Sequence, residues 1–168
     1  MAAFKNEPEE WQRPDWMILR NGWVSLYSKP EFLLIDMSWF RNQRYRVMEF
    51  DCATWKDDEA LHADLKRRFR FPDAYGNNLN ALKDSLAEVS VPGAGLVVVL
   101  HHFDAVEKKT AQAILEVFAE NARFHLLLAE RIITLVQVDD AQVKYDAVGA
   151  TPVFWNRYEL LPLPGEKA

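Results

Sequence analysis

The sequence predicts an α/β fold, a three-stranded parallel sheet with packed helices. Three β-prone apolar stretches carry that prediction, at 45–50, 96–100 and 132–138, together with the helical patterns between them. Leu96-Val97-Val98-Val99-Leu100 has no polar interruption, as in a strand buried on both faces. Helices between successive strands imply crossover connections, hence parallel pairing with right-handed crossovers. An N-terminal β-hairpin or meander and a C-terminal strand are expected to extend this core.

In chain order, Asn21-Gly22 lies between two apolar-rich arms, 17–20 and 23–27. Asn-Gly suits the two positive-φ positions of a type I′ turn, so 16–27 reads as a hairpin. Pro30 then ends the second arm, 32–35 reads as a third short strand, and Asp36 and Ser38 cap a single turn around Trp39 and Phe40. Trp11, Trp16, Trp23 and Trp39 are read as packing for this extension rather than as binding anchors. The first core strand, 45–50, puts Met48 and Phe50 on one side and Tyr45, Val47 and Glu49 on the other. Thr54 or Asp57 can cap a helix over about 56–70, with Leu61, Leu65 and Phe69 as its buried stripe. Pro72 and Gly76 then mark irregular backbone. Asn77 or Asn78 caps a short helix from about Leu79, in which Leu79, Leu82 and Leu86 form the apolar stripe. After the strand at 96–100, a helix over about 106–128 turns Ala111, Ile114, Leu115, Phe118 and Ala122 inward and leaves Glu116, Glu120 and Arg123 outside. The last core strand closes at Asp139 and Asp140. In the tail, the aromatic run 152–158, with Pro162 beyond it, reads as an added strand pairing with the leader's hairpin.

A chain of 168 residues, 49% hydrophobic and 27% charged, suits one soluble domain, organised as a 1–44 extension, a 45–140 core and a 141–168 extension. The acidic opening lacks an apolar core of roughly 7–15 residues and does not read as a signal peptide, and no apolar run is long enough for a membrane span. A lone Cys52 fits a reducing compartment, so a cytoplasmic location is expected. The net charge of −5 is not spread evenly. Residues 45–140 hold 11 basic against 16 acidic residues, the whole of the imbalance. An acidic core repels nucleic acid and speeds encounter with a basic partner.

The stretch Pro72-Asp73-Ala74-Tyr75-Gly76-Asn77-Asn78-Leu79-Asn80-Ala81-Leu82-Lys83-Asp84-Ser85-Leu86 joins a loop to a helix whose exposed face carries Asn80, Lys83, Asp84, Ala87 and Glu88. This pattern resembles the signature of the barstar family of ribonuclease inhibitors, and the resemblance covers roughly 45–140. It implies a non-catalytic protein whose loop and helix plug the active site of a basic ribonuclease. The partner-binding residues it implies are Asp73, Ala74, Tyr75, Gly76, Asn77, Asn80, Lys83, Asp84, Ala87, Glu88 and Glu120. Asp84 takes the place of the carboxylate that fills the phosphate site, Glu120 matches a second acidic contact, and Tyr75 and Gly76 match the loop. Ala74 stands where the family prototype has a tyrosine, Asn80 where it has an aspartate and Lys83 where it has a tryptophan. These departures point to a different ribonuclease or, as the alternative, to an interaction module whose partner is not a nuclease. The physical logic stands beside the name: a carboxylate on a rigid helix can occupy a basic phosphate pocket at low entropic cost.

Other chemistry has less support. His101-His102-x-Asp104 follows a predicted strand, where α/β proteins place ligands, but adjacent strand residues face opposite ways, so the two histidines do not share a metal. No Gly-rich phosphate loop, Gly-x-Ser-x-Gly or Cys-x-x-Cys is present. Lys66, Arg67, Arg68 and Arg70 read as cations favoured near a helix C-terminus rather than as a nucleic-acid patch. No cofactor, metal, membrane or direct nucleic-acid partner is expected, and a monomer is.

Overall fold

Three prolines open helices near the start of the chain. In the computed structural model, which describes residues 3–160, Pro8, Pro14 and Pro30 begin α1 (Pro8–Trp11), α2 (Pro14–Arg20) and α3 (Pro30–Asn42). Proline costs nothing there, because its missing N–H is one of the orphans of the first turn and its φ is preset. These helices replace the expected leader of hairpin and strands. Asn21-Gly22 is not a hairpin turn but the end of α2: Gly22 has φ 108° and the Trp23 N–H donates to the Ile18 carbonyl at 3.1 Å, closing the turn. A side chain at Gly22 would also lie 2.6 Å from Thr151 Cγ2. Only the second arm is a strand, β1 (Val24–Tyr27), and all four of its residues are buried. The expected strand at 32–35 and the single turn after it both belong to α3, which buries Phe32, Leu33, Asp36, Met37 and Phe40 at helical spacing.

The core follows the expected order: β2 (Arg46–Asp51), α4 (Asp58–Phe69), α5 (Leu79–Ala87), β3 (Leu96–His101), α6 (Lys108–Leu127) and β4 (Ile132–Gln137). Asp57 caps α4 by accepting from the Ala60 N–H at 2.8 Å, and Asn78 caps α5 through the Ala81 N–H at 2.9 Å. The tail adds β5 (Phe154–Trp155) and α7 (Arg157–Leu160). The expected seven-residue aromatic strand is thus two residues long, and Pro162 lies outside the described residues. Asn156 ends the strand by sending its side-chain amide to the Leu26 carbonyl at 2.9 Å.

All five strands of the described residues share one sheet in the order β2-β3-β4-β1-β5, every pair parallel. The three-stranded core is therefore widened by one strand from each flank, with β1 seated between β4 and β5. Alternate residues of β3 divide between two cores: Leu96, Val98 and Leu100 pack with α4, α5 and α6, while Val97 and Val99 pack with α2 and α3.

Two buried carboxylates tie the flanks to this sheet. Asp15, on α2, has no exposed surface; it accepts from Arg13 Nη2 at 2.7 Å and the Tyr45 hydroxyl at 2.5 Å, and lies 3.8 Å from Arg131 Nη1. Asp36, on α3, accepts from the Tyr27 hydroxyl at 2.6 Å and from Arg157 Nη2 at 2.8 Å. Burial raises the Asp36 carboxyl above its usual range, opposed by Tyr27 and Arg157. Glu159 completes the fastening, accepting from the Ser28 N–H at 2.8 Å and hydroxyl at 2.7 Å.

Candidate functional site

The loop before α5 is held from beneath by aromatic packing. Arg70 ends α4 in a left-handed conformation (φ 59°), which drops Phe71 onto Phe69 in a parallel stack of 5.2 Å and sets Tyr75 5.0 Å from Phe71. Tyr75 is therefore buried, at 6% exposure, and its hydroxyl lies 2.6 Å from His62 Nδ1 on α4. Of the loop residues expected at the partner surface, Tyr75 turns its ring inward to support the loop, while Asp73, Ala74, Gly76 and Asn77 are exposed. Burial pushes the Tyr75 hydroxyl up to about 12 and lowers His62, so it favours the neutral form of each partner in the pair. His62 was absent from the expected site. Its position beside Leu61 and three residues before Leu65, on the apolar stripe of α4, was the available signal.

Leu82 and Leu86 seat α5 against the core, and Asn80, Lys83 and Asp84 project outward, with Ala87 half-buried and Glu88 exposed at the C-cap. α6 runs beside α5, joined to it by the Leu86 carbonyl 2.9 Å from His125 Nε2 and by an ion pair of 2.7 Å between Lys83 Nζ and Glu120 Oε1. Lys83 and Glu120, both expected at the partner surface, are thus each other's partners. Asp73 lies 3.7 Å from Lys66. Asp84 makes no ion pair or side-chain hydrogen bond among the described residues, which leaves its carboxylate free on a capped, rigid helix. Between the N-terminal turns of α4, α5 and α6 runs a groove of about 460 Å³ whose lining includes Asp58, His62, Asn77, Asn80 and Thr110.

Residues 45–138 match the sequence model of the family described as "Barstar (barnase inhibitor)". The chain belongs to the barstar family. A Bacillus subtilis (strain 168) relative named "Putative ribonuclease inhibitor YrdF" is 42% identical over 60 residues, 35% of this chain and 63% of the relative, so the match spans less than two thirds of that protein. A chain from "Structure of Drosophila ORC bound to AT-rich DNA and Cdc6" aligns over 90% of this chain and 57% of that one, at 18% identity and a TM-score of 0.46, a likeness too loose to carry an argument.

Members of the barstar family are non-catalytic inhibitors rather than enzymes. The histidine pair is divided accordingly. His101 Nε2 lies 2.9 Å from Glu49 Oε2, whereas His102, at φ 51°, turns its Nδ1 to Asp139 Oδ2 at 2.8 Å. The hydrogen bond to Asp139 raises the His102 pKa. Among the described residues no group of three or more His, Cys, Asp or Glu is placed to hold a metal, and no helix is long and apolar enough to cross a membrane. Arg67 and Arg68 both bind Asp64, at 2.6 and 3.0 Å, so much of the basic cluster is engaged within α4.

Proposed function

We propose that this chain binds and blocks the active site of a basic ribonuclease, using the exposed loop residues Asp73, Ala74, Gly76 and Asn77, the α5 residues Asn80, Lys83, Asp84, Ala87 and Glu88, and Glu120 of α6. The observation that carries the reading is the free carboxylate of Asp84. It stands on a helix fixed by the Asn78 cap and by buried Leu82 and Leu86, so ordering it in a complex costs little entropy. An uncompensated anion on a rigid support suits a pocket built for phosphate. The buried Tyr75–His62 pair serves as the loop's foundation. The net charge of −5 favours encounter with a basic enzyme over RNA itself. We place the protein in the cytoplasm as a monomer, to be checked by fractionation and sedimentation.

The test is a titration of the purified chain into a turnover assay of a barnase-type ribonuclease, beside Asp84→Ala. Alanine at this exposed position should change folding stability by no more than about 0.5 kcal/mol. Loss of a desolvated interfacial charge should weaken the complex by about 2–5 kcal/mol, roughly 30-fold or more. Unchanged affinity would show that the surface is wrongly assigned. The Lys83–Glu120 pair, which neutralises two of the site's charges, favours one second reading: an interaction module for a partner other than a nuclease. Capture of such a partner, with no ribonuclease inhibited, would decide for it.

A further inference from the structure

The face assigned to the partner lacks a large apolar anchor. Tyr75 is buried, and the exposed side chains of the loop and α5 are small, polar or charged. Interfaces draw most of their energy from a few large side chains, so a charged face of this kind is incomplete alone. The missing area lies one turn further along α6. Phe124, Leu127 and Leu128 are 45%, 82% and 57% exposed, and their i, i+3, i+4 spacing puts them on one stripe. Phe124 and Leu127 fall four and seven residues after Glu120, on the same side of the helix. On the neighbouring α5, Ala87 falls four residues after Lys83. Because Lys83 meets Glu120 and the Leu86 carbonyl meets His125, the patch continues directly from the Lys83–Glu120 pair.

We propose that the footprint of the same partner extends along α6 onto Phe124, Leu127 and Leu128, and that a basic, barnase-type ribonuclease seats an apolar rim there. This rests on the inhibitor reading above. Charge decides the occupant. With Lys83 and Glu120 neutralising each other, the exposed acids Asp84 and Glu88 of the adjoining α5 outnumber Arg123, the exposed cation next to Phe124, so the surroundings stay acidic and suit a partner that brings apolar surface flanked by cations. A second copy would fit badly, since a two-fold contact would bring the same acids together. The patch is also pre-organised. His125 is pinned between the Leu86 carbonyl and Glu130, and its ring meets Phe124 edge-on at 5.5 Å.

The probe is barnase, with binding kinetics and sedimentation measured for the wild-type chain, Asp84→Ala, Phe124→Ser and Leu127→Ser. Leu127 is the cleaner site, because its exposure predicts an unchanged thermal midpoint. The expected result is a loss of affinity of about tenfold or more for each serine variant, mostly as faster dissociation and with the salt dependence kept. Asp84→Ala should instead reduce both affinity and salt dependence. Full wild-type affinity in both serine variants, alongside a weakened Asp84→Ala, would overturn this inference and leave the inhibitor reading standing. A wild-type dimer abolished by Leu127→Ser, with barnase binding unaffected, would assign the patch to a second copy and overturn it as well. No complex between barnase and the wild-type chain would overturn both for enzymes of that type.

Discussion

Replacing Asp15 by alanine tests whether the N-terminal helices are integral to the barstar core. The carboxylate is fully buried and is met by Arg13 at 2.7 Å, Tyr45 at 2.5 Å, the Trp16 N–H at 2.8 Å and Arg131 at 3.8 Å. Alanine would leave the Tyr45 hydroxyl without an acceptor, at a cost of about 1–3 kcal/mol. Two guanidinium groups would also lose their counter-charge. Breaking a buried pair costs about 3–5 kcal/mol, but the Arg13 and Arg131 side chains are 26% and 19% exposed and recover part of that from water. A net loss of about 3 kcal/mol follows, or a fall in Tm of roughly 6–12 °C for a chain of this size. Tyr45→Phe is the control. It removes one hydrogen bond and keeps the ring edge-on to Phe40 at 5.0 Å, so about 1 kcal/mol is expected. The assay is urea unfolding followed by tryptophan fluorescence, which reports on Trp16 and Trp39 in the flank and Trp55 in the core. A loss below about 1 kcal/mol for Asp15→Ala, or an early separate transition of the flank in the wild type, would refute the argument.

Asn78→Ala removes the cap of α5 and should cost about 1 kcal/mol, with faster amide exchange in its first turn. The Lys83–Glu120 pair, about half-exposed at both ends, should show a coupling of only about 0.2–1 kcal/mol in a double-mutant stability cycle and fade in high salt. For pH, burial lowers the His62 pKa below its ordinary 6.5, with Asp58 pulling the other way. The unfolded chain therefore binds the proton first as pH falls, and stability complete above about 6.5 declines as pH drops through the lowered value. Denaturant midpoints at pH 7.5 and 5.5 should differ for the wild type and differ less for His62→Gln; equal differences would count against the buried neutral pair.

The core was legible because its signals are local and agree with one another. The β3 run, the Asp57 and Asn78 caps and the Leu82–Leu86 stripe each point to the element that forms. The flank misled because its signals have two meanings. Asn-Gly serves a hairpin turn or the left-handed end of a helix, and a proline can stop a strand or start a helix. A short apolar run such as Phe32 to Ile35 fits either period, and its pattern resolves only when Asp36, Met37 and Phe40 are seen on the same buried face. At the site, helical spacing gave the exposure of Asp84 and Lys83. Contacts between elements, Lys83 with Glu120 and Tyr75 with His62, leave no mark on either segment alone.

The seat of β1 in the sheet bears on how the chain is made. Val24 pairs with Thr134, so the strand synthesised first has its neighbour on the order of a hundred residues downstream. At about 5–20 residues per second, a ribosome leaves that strand unpartnered for roughly 5–20 s. Throughout that interval Val24, Leu26 and Tyr27, all destined for burial, have no sheet to join. The nascent chain thus carries an unpaired apolar segment throughout that interval, and non-local pairing of this kind also slows refolding. Closing this gap late makes β1 the natural place for a chaperone to act and for the last, slowest phase of folding to appear.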